Sequence, residues 1–401
     1  MKLLQKHEVN LLTIALNSFA LFFGFTVWRV IFNNFAKEVL DITPTQIGLI
    51  QSAREIPGLL GFTVAALALY IAEVRIAALS IVLTGAGLIL VGHSNSVFML
   101  GVGTVVMSVG FHGFVSSNQA LLLHFIKTKE SGKAQGKIAS VESMAGVVAT
   151  LCVLITTLFV GYRETLTAFG IIVILVGTYF TFVLKSNRGK EEERKVTLKR
   201  KYSLYYFLSF LRGCRRHIFT TFAIFLLVAN HQISISAVAL LFFVSNVVNI
   251  YTYRRIGILV EKWGERIVLV GSSFFLVFIF SGYAYISWLP LLAVLYVLDN
   301  ILFGSSIALH SYIRKISDKA DLTSCISFSV TVNHISAVIL PVLGGVIWEL
   351  FGFRATFLFG AAIVFIDMLF SLRVKIGQSP RSKQLKEMHP ALGGMHSEES
   401  H

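Results

Sequence analysis

Twelve stretches of mostly apolar residues, most of them about as long as a bilayer is thick, follow one another along this chain, and that pattern narrows its possible folds more than anything else in it. About 20 apolar residues cross the hydrocarbon core as a helix. Lipid offers the backbone no hydrogen-bond partner, so such runs satisfy themselves internally. The spans are read at 9–33, 46–72, 76–93, 97–124, 141–160, 165–184, 218–232, 236–253, 267–286, 288–312, 323–348 and 355–373. Charged residues make up only 14% of the chain and mean hydropathy is +0.75. A soluble domain carries roughly 25% charge, so these residues could not clothe a water-exposed surface of this size. The expected fold class is all-α: a polytopic membrane protein with twelve transmembrane helices arranged as two six-helix bundles.

The net charge of +14 would suggest nucleic acid in a soluble protein. Here the basic residues gather in alternate loops, as a membrane protein's orientation rule requires. One set holds Lys127, Lys129, Lys133 and Lys137, then Arg254, Arg255, Lys262 and Arg266, then Arg314, Lys315 and Lys319; the opposite set holds only Lys37, Arg163 and Arg354. This bias predicts cytoplasmic termini, and the absence of an Asn-x-Ser/Thr sequon fits a bacterial inner membrane. The polar segment 185–217 carries eleven Lys and Arg against three Glu. It divides the spans six and six, and reads as a solvated linker followed by a basic aromatic helix on the inner leaflet. The domain plan is therefore 1–184 for the first bundle, 185–217 for the linker, 218–373 for the second bundle and 374–401 for a polar, disordered cytoplasmic tail bearing His389, His396 and His401. Cys152, Cys214 and Cys325 are too scattered for a disulfide framework or a zinc site. Gly132-Lys-Ala-Gln-Gly136-Lys137 lacks the spacing and the Ser or Thr of a phosphate loop, so uphill movement of a solute would draw on an ion gradient. No cofactor is expected.

The two halves resemble each other at an offset of 187 or 188 residues. Ser117-Asn-Gln-Ala-Leu-Leu-Leu-His-Phe-Ile-Lys127 ends the fourth span, and Ser305-Ser-Ile-Ala-Leu-His-Ser-Tyr-Ile-Arg314 ends the tenth. Glu73-Val-Arg75 stands opposite Glu261-Lys-Trp-Gly-Glu-Arg266. Paired six-helix repeats around a midplane site are a known transporter plan. Gly257-Ile-Leu-Val-Glu-Lys-Trp-Gly-Glu-Arg266 resembles the signature loop of the major facilitator superfamily, Gly-x-Leu-x-Asp-Arg-x-Gly-Arg-Arg. The resemblance implies that Gly257, Glu261, Lys262, Gly264 and Arg266 form a conformational latch at the cytoplasmic ends of the helices. The first-half copy keeps Glu73 and Arg75 but loses the glycines. Pro341-Val-Leu-Gly344-Gly345 resembles a Pro-x-x-Gly-Gly motif that some family members carry in the fifth helix; here it lies in the eleventh. The family implies a non-enzymatic, monomeric secondary transporter working by alternating access.

Charged and polar groups at membrane depth are costly and so face cavities or partners. His112, Asp299, Asn300, Asn333 and His334 fall mid-span, and Asp299 with His334 reads as a proton-coupling pair or as a structural tie between helices. Arg29, Arg54 and Glu55 lie in the outer parts of the first two spans, where they read as an anion-attracting vestibule or as an Arg–Glu brace. Asn17, Ser18, Asn246 and Asn249 are further candidates to bond a substrate or another helix. Asp367 is expected to pair with Arg373, and Glu142 to cap or brace the fifth span. Together these residues predict movement of a small organic solute, anionic by the Arg residues, coupled to protons. The alternatives are a metal or metal-chelate transporter using His112, Asp299, His310 and His334, and a non-transporting membrane receptor or scaffold. No resident metal is assigned.

Overall fold

The computed structural model describes residues 10–68, 70–125, 131–184 and 199–375. Among them the α-helices are α1 (Leu11–Asn34), α2 (Pro44–Leu59), α3 (Phe62–Ala68), α4 (Glu73–Gly92), α5 (Val97–Phe125), α6 (Ser131–Thr156), α7 (Tyr162–Val183), α8 (Ser203–His231), α9 (Ile235–Trp263), α10 (Glu265–Tyr285), α11 (Leu289–Leu302), α12 (Ser306–Ile316), α13 (Lys319–Phe351) and α14 (Phe353–Ser371). Counting α2 with α3, and α11 with α12, as single crossings gives the twelve spans read from the sequence. Lys127, Lys129, most of the linker and the His-bearing tail lie outside the described residues.

Both interruptions have local causes. Pro57 lacks an N–H and its ring crowds the preceding turn; α2 stops two residues later, and the Gly61 amide turns back onto the Gly58 carbonyl. The second span therefore does not run unbroken to residue 72. A 3₁₀ turn at Phe303–Ser305 splits the tenth span, with the Ser305 hydroxyl donating to the Leu302 carbonyl. At the other end of α2, Thr43 and Gln46 form a reciprocal capping box and Pro44 occupies the first turn.

Within the first half, α4 packs between α5 and α7. Small residues let these backbones approach, as membrane helices require without a hydrophobic drive between them. A Cβ on Gly85 would lie 2.6 Å from the Gly170 carbonyl oxygen, and one on Gly170 would lie 2.8 Å from that of Gly85.

The halves meet along α2 and α13. A Cβ on Gly48 would lie 2.2 Å from the Pro341 carbonyl oxygen, and one on Gly345 would lie 2.4 Å from that of Pro44. Nearby, Asn34 Nδ2 donates to the Ile233 carbonyl at 3.0 Å, and the Thr45 amide donates to Glu349 Oε1 at 3.1 Å. These contacts seal the face opposite the basic loops.

The seventh span departs from the sequence reading. It begins at Ser203 rather than 218, and residues 203–217 are not a helix lying on the membrane surface. They form the first half of α8, which packs on α13 and α14. Tyr205, Leu208, Leu211, Cys214 and Ile218 are buried along it. At its start, Lys199 Nζ lies 2.7 Å from Asp321 Oδ1, Tyr202 Oη donates to Asp321 Oδ2 at 2.8 Å, and Lys201 Nζ donates to Asp318 Oδ2 at 2.6 Å. The linker's end is thereby tied to the first turn of α13. Hydrogen bonds from Lys199 and Tyr202 hold the Asp321 carboxyl below the usual carboxylate range.

Candidate functional site

The consequence of placing residues 203–217 within the helical bundle is chemical. Arg212, Arg215, Arg216 and His217 now sit in the bundle, on successive faces of α8. Arg215 Nη1 donates to Asp299 Oδ1 at 2.7 Å, and Asp299 is fully buried. Arg212 Nη2 lies 3.1 Å from Asp367 Oδ2, and its Nη1 donates to Ser305 Oγ at 2.9 Å. Ser273 Oγ completes that group, donating to Asp367 at 2.6 Å. Both acids thus have partners other than those expected. Asp299 pairs with Arg215 and not with His334; Asp367 pairs with Arg212 and not with Arg373, which stacks on Phe370 instead.

His334 reaches across the seam between the halves. Its Nδ1 lies 3.1 Å from Glu55 Oε2 on α2, while His112 Nε2 on α5 lies 4.0 Å from the same oxygen. The two imidazoles meet edge to face with centroids 5.1 Å apart. Gly58 makes room for them, since a Cβ there would lie 2.4 Å from His334 Cε1 and 2.8 Å from His112 Cε1. Glu55 Oε1 is taken by the Arg54 guanidinium, whose Nε donates to Gln51 at 2.8 Å and which lies over the Trp28 ring. Arg54 and Glu55 pair with each other on α2, and Glu55 also meets His334 across the seam.

Five guanidiniums (Arg29, Arg54, Arg212, Arg215, Arg216) and three carboxylates (Glu55, Asp299, Asp367) make up the charged core, with His112, His217 and His334 beside them. Three ion pairs account for all three acids. Among the described residues, Arg29 and Arg216 meet no carboxylate. Arg29 lies 4.6 Å above the Phe242 ring, its Nε buried without a hydrogen-bond partner. It is within electrostatic range of Arg216 and Arg54. Arg216 is solvent-exposed at mid-helix, although Glu55, Arg54, Arg215 and Tyr253 all act on it. An exposed guanidinium among groups from α2, α8 and α9 marks a water-accessible gap between the helices.

Other expected site residues do helix work. Asn300 Nδ2 donates to its own helix at the Tyr296 carbonyl. The Asn333 carbonyl accepts from Ser336, and its side chain borders Gly213. Asn246 lies beside Gly146, where α9 meets α6. Asn118 donates to Ser18 at 3.0 Å within the first half. His310 is exposed toward the basic face, away from the three central residues. In the signature loop, Gly264 has φ +82°, a conformation that favours glycine, and joins α9 directly to α10. Glu261, Lys262 and Arg266 are exposed; the buried acid is Glu265, which meets Lys315 at 2.5 Å and accepts from Ser311 at 2.6 Å.

The basic run on α8 was missed because its residues were counted as loop charge. Two signals point to it. A span of 218–232 is too short to cross a bilayer, and three carboxylates at depth call for cations at the same depth.

Helical bundles that meet on a glycine-rich seam, with charged side chains gathered between them, have the architecture of a membrane transporter. The family model of the Major Facilitator Superfamily matches twice, over residues 14–227 and 205–395, and the chain belongs to that superfamily. A bacterial homologue of the human lysosomal transporter Spinster, in an inward-facing and unoccupied conformation, superposes with a TM-score of 0.74 at 15% identity, covering 91% of this chain and 96% of that one. The nucleoside transporter NupG superposes with a TM-score of 0.72 at 14% identity, covering 91% and 99%. At such identities the likeness is one of fold. No curated protein matches the sequence. The chain is a multi-pass membrane transporter and not an enzyme.

Proposed function

We propose that this transporter carries a small organic anion across a bacterial inner membrane, with its basic face and both termini in the cytoplasm, and that proton movement at Glu55 drives it. The observation behind the anion is the pair of guanidiniums left without a carboxylate among the described residues, Arg29 and Arg216. An Arg at the centre of a membrane helix costs about 2.5–3.5 kcal/mol on insertion scales. Two such residues without internal counter-ions are offset by a ligand that brings negative charge, and the planar guanidinium suits carboxylate and phosphate oxygens. The seal at the opposite face, with Arg216 exposed, fits a conformation open to the cytoplasm.

Proton coupling rests on Glu55 rather than on the Asp299–His334 pair the sequence suggested. Asp299 is held by Arg215 within the second half. Glu55 is bonded across the seam to His334, so rocking of the halves removes one of its two partners and changes its affinity for a proton. An anion arriving at Arg54 would remove the other. In proteoliposomes screened with labelled mono- and dicarboxylates and phosphate esters, a pH gradient is expected to drive accumulation above equilibrium. Glu55→Gln should abolish the accumulation and leave exchange of the same anion across the membrane. Accumulation that survives Glu55→Gln would remove Glu55 from the coupling step, and uptake confined to neutral or cationic solutes would remove the anion.

A further inference from the structure

We infer that Glu55, His112 and His334 form a transition-metal site across the seam, selective for an ion of zinc's size and ligand preference. Glu55 Oε2, His112 Nε2 and His334 Nδ1 all lie within 4.8 Å of one another. In a tetrahedral zinc site, bonds of about 2.0–2.1 Å put ligand atoms roughly 3.3 Å apart. The 3.1 Å between Glu55 Oε2 and His334 Nδ1 already meets that spacing, and a shift of about an ångström in the His112 ring brings in the third ligand. Two imidazoles and one carboxylate are a donor set that suits zinc and its neighbours and that magnesium or calcium, which take oxygen, would not select.

A second observation points the same way. His112 Nε2 is buried and has no hydrogen-bond partner, although it is turned toward the Glu55 oxygen. Arg54 on Oε1 leaves Oε2 free to ligate and fixes its direction, in the manner of the outer groups that orient metal ligands. Arg216 adds positive charge nearby, so the fourth position would favour an anion over water. α2 and α5 belong to the first half and α13 to the second. A bound metal therefore fastens the halves together at mid-depth in the conformation described here, and would slow transport. The site is independent of whether Glu55 also carries a proton, since metal binding is read on purified protein with no solute present.

The test uses the full chain in detergent, free of any affinity tag and with His389→Ala, His396→Ala and His401→Ala to remove the tail's own affinity. Zn²⁺, Co²⁺ and Mg²⁺ are titrated while thermal unfolding and visible absorption are followed. One Zn²⁺ per chain is expected to raise Tm. Mg²⁺ should have no effect, and Co²⁺ should give the strong visible bands of a tetrahedral site. His112→Gln and His334→Gln should each weaken Zn²⁺ binding by on the order of 100-fold. Gly58→Ala keeps all three ligands but pushes the rings apart, so it should weaken binding too, while Arg163→Gln, remote from the site, should not. The inference is overturned if Zn²⁺ leaves Tm unchanged, if the stabilisation survives either His variant, or if bound Co²⁺ is octahedral. Should a His variant not fold, Gly58→Ala and the Co²⁺ spectrum of the otherwise wild-type chain still decide the matter.

Discussion

Arg215 and Asp299 are a buried pair, and the energetics of such pairs are lopsided. Forming one gains little over an apolar core, because both charges must leave water, whereas removing a single partner strands the other. Asp299→Ala is therefore expected to lower stability by about 3–5 kcal/mol, read as a drop in Tm in detergent. Joining it to Arg215→Met should recover much of that loss. A double variant as unstable as the single one would contradict a role confined to the pair. Asp321 behaves differently because it lies ahead of the apolar stretch that begins at Ser324. Its pKa is depressed in the folded state, so the stabilisation it brings is complete above the ordinary carboxylate value of about 3.9 and fades as pH falls toward its folded value. Asp321→Asn should lower Tm at pH 7, and the difference from wild type should shrink as the pH is brought below about 4. A difference independent of pH would mean that Lys199 and Tyr202 do not act on its charge.

Among the helices, α2 and α13 carry the conformational argument. Gly48 sits so close to the Pro341 carbonyl that any side chain must push the two helices apart. Overpacking of this kind costs about 1–3 kcal/mol, enough to shift a two-state equilibrium by roughly 5- to 150-fold. Gly48→Val is expected to open the sealed face, read as a longer distance between spin labels at Thr45 and Glu349, with Gly101→Val on α5 as a control. An unchanged distance would show that the seam is not the gate. The same elements explain how much was legible beforehand. Apolar length placed most spans to within a few residues, because a bilayer sets that length whatever the side chains are. The Pro57 break in α2 left its mark in the sequence, but the 3₁₀ turn that divides α11 from α12 did not show as an interruption of apolar pattern. α8 was truncated because Arg212, Arg215 and Arg216 look like loop residues to any measure of hydrophobicity. What shields them in the bundle is Asp299, Asp367 and the gap beside Arg216, all supplied by other helices. Residue partners were harder still: Glu55, His112 and His334 are far apart in the chain, and only the packing of α2 against both α5 and α13 brings them together.

Among the described residues the molecule has a charged interior inside a shell of apolar helices, with more fixed positive than negative charge at its centre. The direct test of that picture is binding of anions to the purified protein, compared between wild type and Arg216→Gln. A panel of monocarboxylates, dicarboxylates, phosphate esters, neutral nucleosides and organic cations is titrated while thermal unfolding is followed. The account expects stabilisation by one class of anion, by about 2.7 kcal/mol at a hundred times its Kd, and at least a tenfold weaker Kd in Arg216→Gln. Stabilisation by neutral or cationic solutes alone, or an anion affinity untouched by Arg216→Gln, would contradict it.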